Sequence, residues 1–313
     1  MEISAKLKER FCKDCNIPIK IFQEPYFMDR MKLYDKFYGT LEKWETFVKE
    51  LEKYKCEQDY LEEYNRVKDT AINDIKETEA YQRFNSENMN EFSIVHEGLP
   101  GKDIFHPSNN GRKFISIDMK KANFSALKYY NYSMFYESNT WEDFIKRYTD
   151  NKHIINSKYI RQVILGNCNP KRHITYEKYL MDTLLEILED FIIRQERFIG
   201  NNLVFFSNDE IVFDIEDINE DKIEEFLKEI TYCIDKLVVP FKVEYFLLSK
   251  IDGTNGYCKT FKDGSVEFKC LDNYMLPFVM RKVLGQEVTE NDKVFYHEGL
   301  LAKFIEVPEI KNI

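Results

Sequence analysis

The chain has 313 residues, 43% apolar and 15% aromatic, enough to fill one large core or two ordinary ones. Its formal net charge is −10, which argues mildly against a nucleic-acid partner, since domains that bind one usually carry a basic footprint. Its apolar runs are shorter than the ~18–20 residues of a bilayer span, and its start, MEISAKLKERFCKDC, lacks the apolar stretch of a signal peptide. The expectation is an intracellular protein, cytoplasmic or viral, without membrane association.

Residues 1–25 carry no clear pattern. From about Phe27 to Phe84 the apolar spacing is helical and the surface heavily charged. Thr40 is expected to cap a helix whose buried stripe is Trp44, Phe47, Leu51 and Tyr54. A second helix is expected over Gln58 to Gln82. Residues 1–97 therefore read as a helical arm packed on the next domain, with a protein-partner surface as the other use of such an arm. Cys12 and Cys15 form a CxxC, but no second CxxC or CxxH follows. With seven scattered cysteines, plain thiols are the expectation rather than zinc or disulfides.

The Gly- and Pro-rich segment 98–113 reads as a loop and sets the boundary of a second region, 98–250. FISID then delivers Asp118 to the end of a strand, with a helix after it. Residues 141–148 and 157–165 read as helices, and Gly166 and Pro170 as a turn. Thr175 is expected to cap a long helix to about Arg197, burying Tyr179, Leu180, Thr183, Leu184, Ile187, Leu188 and Phe191. LVFF and IVFDI read as a hairpin around Ser207-Asn208-Asp209-Glu210. A helix over 219–237 and a strand over 239–249 complete the order. Strand, helices, strand, strand, helix, strand is the split βαβ arrangement, ferredoxin-like at its core. The expected fold class is α+β, with an antiparallel sheet of the kind found in polymerase palms and nucleotide cyclases. Residues 251–313 read as a small α/β extension: a hairpin around Asp263-Gly264, then helices near 275–284 and 290–306.

Within this order the carboxylates matter most. Phosphoryl transfer needs charge neutralised on the attacking and leaving oxygens, and paired divalent ions do this. Magnesium takes hard oxygen ligands and keeps water, so a few carboxylates brought to one sheet edge suffice. Asp118 at a strand end and Asp209 with Glu210 at a hairpin tip supply that pattern. Between Asn151 and Tyr176 lie Lys152, Lys158, Arg161, Lys171 and Arg172 with no acid, a local basic stretch suited to phosphates. Lys120 and Lys121 read as surface charge. His106, His153 and His173 lie in unrelated contexts.

Three segments carry a resemblance to a known family. SNDEIVFDI, 207–215, resembles motif C of the family A DNA polymerases, the bacterial DNA polymerase I group, usually VHDELVFEV. DMKKANFSAL, 118–127, is similar to motif A, DYSQIELRVL. VVPFKVEYFLL, 238–248, looks like the strand that closes the family's palm, commonly AVPLKVE. SKYIRQVILGNCNP, 157–170, is reminiscent of the fingers helix, with Arg161 in place of its Lys, Leu165 in place of its aromatic residue, and a fingers region much shorter than usual. The resemblance spans roughly residues 114–250. It implies a metal-dependent nucleotidyltransferase: a compact template-directed DNA polymerase using magnesium or manganese, nucleoside triphosphates and a primer–template. Asp118 and Asp209 would hold metal and Glu210 would support them. Lys158 and Arg161 would take the triphosphate, Asn123 would sit at the sugar, and Lys171 and Arg172 would meet nucleic-acid phosphates. Two other readings stay open: another palm enzyme, either a nucleotide cyclase or a template-independent nucleotidyltransferase, or a degenerate palm kept for binding or assembly.

Overall fold

A computed structural model describes residues 3–192 and 202–313. Five helices come first: α1 (Ala5–Asp14), α2 (Tyr26–Tyr38), α3 (Thr40–Leu51), α4 (Glu57–Glu77) and α5 (Glu79–Ser86). Strand β1 (Arg112–Met119) leads into α6 (Ala122–Tyr130), α7 (Trp141–Ile145), α8 (Lys152–Asn156), α9 (Lys158–Gly166) and α10 (Pro170–Ile192). Then come β2 (Leu203–Phe206), β3 (Glu210–Asp214), α11 (Glu220–Lys236) and β4 (Phe241–Lys250). The chain closes with β5 (Tyr257–Phe261), β6 (Val266–Lys269), α12 (Leu276–Val283), β7 (Val294–His297) and β8 (Leu300–Lys303).

The main sheet has six strands in the order β2-β3-β1-β4-β5-β6, and every neighbouring pair is antiparallel. Strand β1 lies between β3 and β4, and β3 between β1 and β2, so the first four strands form two interlocked split βαβ units. The fold class is α+β, as the strand and helix order implied. Strand β1 alternates. Ile115, Ile117 and Met119 belong to the main core, which they share with the helices, while Phe114 joins a smaller cluster with Val212, Phe246 and Leu248 under Ile104 of the 98–111 loop. Asp118, two alternations on from Phe114, therefore sits on that second face of the sheet.

The N-terminal helices pack on the rest of the chain, as expected: Leu7, Phe47 and Val67 belong to the same continuous core as Ile117, Leu165 and Leu184. Among the described residues, no helix is long and apolar enough to cross a membrane. Cys12 is buried and Cys15 half-buried, and burial pushes both thiols up to about 12.

Several local expectations are corrected. Thr40 does not cap α3; Gly39 does, at φ 57° and ψ 47°, a conformation glycine adopts without steric cost, and the Thr40 hydroxyl donates to the Met31 carbonyl instead. The expected 58–82 helix is two, because Thr78 leaves helical geometry and caps α5 by accepting from Tyr81 N–H at 3.1 Å. Helix α10 begins at Pro170, not Thr175, since proline suits a first helical turn. Thr175 Oγ1 donates back to the Lys171 carbonyl at 3.0 Å. Leu180, Leu184 and Leu188 are buried as expected; the Phe191 side chain and the stretch to Arg197 lie outside the described residues. Strands β5 and β6 do form the hairpin expected around Asp263-Gly264, but they extend the main sheet beyond β4 rather than forming a separate extension. The region 290–306 is a short 3₁₀ turn and the β7–β8 hairpin, not a helix. Glu298 at φ 47° and Gly299 at φ 85° make the tight turn whose twist matches paired strands.

One tie between the loop before β1 and α10 gives a measurable prediction. His96 Nδ1 lies 2.7 Å from Asp182 Oδ1 and its Nε2 lies 2.9 Å from Glu189 Oε2. Burial opposes the charged ring, but the two carboxylates outweigh it and raise its pKa above 6.5. A raised folded-state pKa stabilises below the unfolded value and is lost as pH rises through the folded one. His96→Ala is therefore expected to cost about 1–3 kcal/mol at pH 6 and less at pH 8, measured by urea unfolding at both values. An equal loss at both would rule out the charged bridge.

Candidate functional site

The site grows from the end of β1. Asp118 stands directly opposite Glu210 in the β1–β3 ladder and opposite Lys242 in the β1–β4 ladder. Met119 N–H donates to the Asp209 carbonyl at 2.8 Å, pinning the β2–β3 turn against the end of β1. Within that turn Ser207 Oγ donates to Asp209 Oδ1 at 3.1 Å and accepts from Glu210 N–H at 3.0 Å. The turn is thus held by its own side chain, as short polar turns are.

A cavity of about 400 Å³ opens at this edge. Five of the site residues expected from sequence meet there: Asp118, Asp209, Asn123, Lys158 and Arg161. Asp118 is pushed up to about 6, first by burial and then by the charges of Asp209, Glu210 and Glu244, with Lys242 opposing. Glu210 is raised as well, chiefly by burial, against the pull of Lys259 and Lys269. Glu210 does not line the cavity. Its Oε1 lies 3.8 Å from Nζ of Lys259, a lysine only 3% exposed whose ammonium also sits 4.3 Å over the Phe246 ring.

The cationic wall is α9. Ser157 accepts from Ile160 N–H at 2.9 Å and so caps the helix, while its hydroxyl donates to Asp14 Oδ1 at 2.7 Å. Asp14, buried in α1, also accepts from the Tyr64 hydroxyl at 2.8 Å and contacts His153 Nε2 at 3.0 Å. The N-terminal helices therefore anchor the start of the helix that carries Lys158 and Arg161. The Nε of Arg161 is buried without a hydrogen-bond partner, and burial lowers the pKa of its guanidinium, with Glu142 opposing. Glu142 is itself taken by Lys121, whose Nζ lies 2.6 Å from Glu142 Oε1. Among the described residues, Arg161 has no ion-pair partner.

Helix α10 supplies a third wall. His173 Nδ1 lies 3.1 Å from Glu177 Oε1, and its Nε2 meets the Leu165 carbonyl of α9 at 3.2 Å. Asn208 Nδ2 donates to Glu177 Oε2 at 2.7 Å. His173 and Glu177 thus join the end of α9 to the turn that carries Asp209.

Lys171 and Arg172 are not brought to this cavity. Lys171 is exposed. Arg172 donates from Nη2 to the Phe84 carbonyl at 2.8 Å and also to the Glu87 carbonyl, so its guanidinium is already committed to closing the end of α5. Conversely, Lys121, whose sequence context suggests surface charge, lines the cavity. It holds φ 51° at the start of α6, a left-handed conformation that costs a non-glycine residue roughly 1 kcal/mol. His173 and Glu177 are cavity residues that sequence reasoning does not single out. Their spacing of four on one helix is a legible signal, since such residues share a face. Glu244 stands opposite Ser116, one alternation from Asp118 on the same sheet face.

Among the described residues, no group of three or more His, Cys, Asp or Glu side chains is arranged to hold a metal ion. Asp118 and Asp209 are hard oxygen donors facing one cavity, and Asp118 carries the repulsion of three further carboxylates that a divalent cation would relieve. That donor chemistry fits magnesium or manganese completed by water and phosphate. Set against protein-family models, curated proteins and solved structures, the chain matches none of them.

Proposed function

We propose that the chain is a metal-dependent nucleotidyltransferase built on a polymerase-type palm, acting as a compact template-directed DNA polymerase related to family A. The observation that carries this reading is one cavity with Asp118 and Asp209 on its sheet side and Arg161, its Nε unpartnered, with Lys158 on its helix side. A space of about 400 Å³ lined by both carboxylates and cations suits a nucleoside triphosphate, whose phosphates Lys158 and Arg161 would bind and whose metal Asp118 and Asp209 would hold. The resemblance of residues 118–127 and 207–215 to motifs A and C adds the reaction class.

In this reading Asp118 and Asp209 would hold the ions. Magnesium or manganese, when bound, neutralises charge on the attacking and leaving oxygens. Arg161 and Lys158 bind the triphosphate and stabilise the charge that develops on the leaving pyrophosphate. Lys121 is held back by Glu142 and adds a third cation at the rim. Glu177, through Asn208, fixes the turn that presents Asp209. Asn123 stands at the same cavity, where it can orient the sugar.

Primer extension with purified protein and magnesium or manganese is the direct test. The expected result is incorporation directed by the template; incorporation without a template, or a cyclic product from single nucleotides, would move the assignment to another palm enzyme. A second reading, a palm retained for binding, is favoured by one observation: Glu210 lies against Lys259 and does not line the cavity. Absence of any metal-dependent incorporation with intact nucleotide binding would select it. Arg161→Ala is expected to weaken triphosphate binding about 10–100-fold, read by titration with a fluorescent nucleotide. Its unfolding midpoint should not fall, because the folded state disfavours that buried charge. Unchanged affinity would remove Arg161 from the site.

A further inference from the structure

A second cavity, about 480 Å³, lies on the other side of α9. It is lined by segments far apart in sequence: α1 with the 16–22 stretch that follows it, Tyr38 at the end of α2, helix α9, and the edge strand β6 with Asn273 beyond it. Gln162 of α9 lines both this cavity and the one holding Asp118 and Asp209. The two spaces therefore meet at Gln162.

The chemistry of this second space is specific. Aromatic rings come from three of these segments: Phe22 from the N-terminal stretch, Tyr159 from α9 and Phe268 from β6. All three are half-buried, with part of each side chain still open. Arg10 sits 5.1 Å over the Tyr159 ring and Phe37 lies 5.5 Å from Phe268, so Tyr159 has one face left to offer; aromatic faces stack nucleobases of any sequence, each stack worth about 1–3 kcal/mol. Lys20, exposed and, among the described residues, outside every ion pair, stands at the rim. Lys269 joins it, sharing its charge with Glu267 at 2.9 Å. The amides of Gln162 and Asn273 offer both donors and acceptors, as base edges require. Glu9 and Glu267 also line the cleft and pair with Lys13 and Lys269, which leaves Lys20 as its excess cation beside the candidate phosphate site. The space is too small for a duplex and large enough for unpaired bases.

We propose that this cleft binds the single-stranded stretch of nucleic acid next to the nucleotide in the reaction cavity, its bases stacking on Tyr159 and Phe268 and its backbone running past Lys20. This rests on the nucleotidyl-transfer reading, and it makes the N-terminal stretch part of the strand path.

The test uses the full chain and fluorescence anisotropy with a labelled oligothymidylate and a blunt duplex of equal length, without metal or nucleotide. The single strand is expected to bind at least tenfold more tightly than the duplex. Tyr159→Ala and Phe268→Ala should each weaken it at least fivefold. Lys20→Gln, an exposed change that leaves folding untouched, should weaken it and reduce its salt dependence. Equal binding of strand and duplex, or Lys20→Gln and Tyr159→Ala proteins that bind the strand like wild type, would overturn the proposal. Primer extension on templates with long and single-nucleotide overhangs separates the two ideas. Incorporation unaffected by these variants on long overhangs overturns the cleft and leaves the polymerase reading. Strand binding lost in the variants, with no incorporation by wild type, supports the cleft and overturns the polymerase reading.

Discussion

Asp118→Ala is expected to lower metal-dependent nucleotide incorporation about a thousandfold or more while leaving the protein folded and, at neutral pH, more stable. The two effects have one cause. Asp118 is gathered with Asp209, Glu210 and Glu244, and burial and their repulsion push it up to about 6 from 3.8. A group whose folded pKa is raised favours the fold below its unfolded pKa and loses that contribution as pH rises through the folded one. Above about pH 6 the charged Asp118 therefore costs stability in metal-free protein. Asp118→Asn should raise the melting midpoint by several degrees at pH 7.5 and by less at pH 4, with added magnesium closing the gap by stabilising only wild type. A metal-free midpoint at pH 7.5 that falls in the variant would mean that Asp118 is a structural residue. Stabilisation without loss of incorporation would detach it from the chemistry.

The second large effect is one of stability. Asp292→Ala is expected to cost about 3–5 kcal/mol, measured by denaturant unfolding. The Asp292 side chain is 1% exposed and lies 2.8 Å from Nη1 of Arg30 and 2.9 Å from Nε of Arg281. Its Oδ2 also accepts from Thr289 N–H at 2.8 Å, closing a capping box around the 3₁₀ turn. Removing it would leave two arginines without their carboxylate, one of them, Arg30, only 4% exposed. Arg30 Nη2 would keep the carbonyls of Asp292 and Val294, each at 3.0 Å, but these do not neutralise a charge. Because Arg30 belongs to α2 and Asp292 follows α12, the bridge spans 262 positions and fastens the two ends of the chain together. Glu290→Ala is the control: Glu290 is exposed, its ion pairs with Lys293 and Lys303 lie at the surface, and its loss should leave the midpoint where it was. Equal effects from the two variants would show that the bridge is not buried in solution.

The features legible in the sequence lie close to the backbone. The β1 strand with Asp118 near its end, the β2–β3 hairpin at Ser207–Glu210, the α11 helix and the β5–β6 hairpin are all legible because periodicity and turn chemistry act over a few residues. The split βαβ order follows from their succession. Errors of boundary arise where one residue has two local uses, as when the hydroxyls of Thr40 and Thr175 bond back to carbonyls instead of capping. The 294–303 hairpin reads as a helix because its apolar residues fit either period, and the turn at Glu298-Gly299 decides it.

The side chains around the cavity were decided by tertiary structure alone. Asp118, Asp209 and Arg161 are legible as residue types, but only packing shows that they face one space. Only packing turns Glu210 toward Lys259, commits Arg172 to Phe84 and Glu87, and brings Lys121, His173 and Glu177 to the site. These outcomes depend on partners tens of positions away, which no local pattern encodes. The helix bearing Arg161 is positioned by Asp14 from the first helix of the chain, 143 positions before Ser157. A charge becomes a ligand, a brace or a solvated surface group according to what the fold sets beside it.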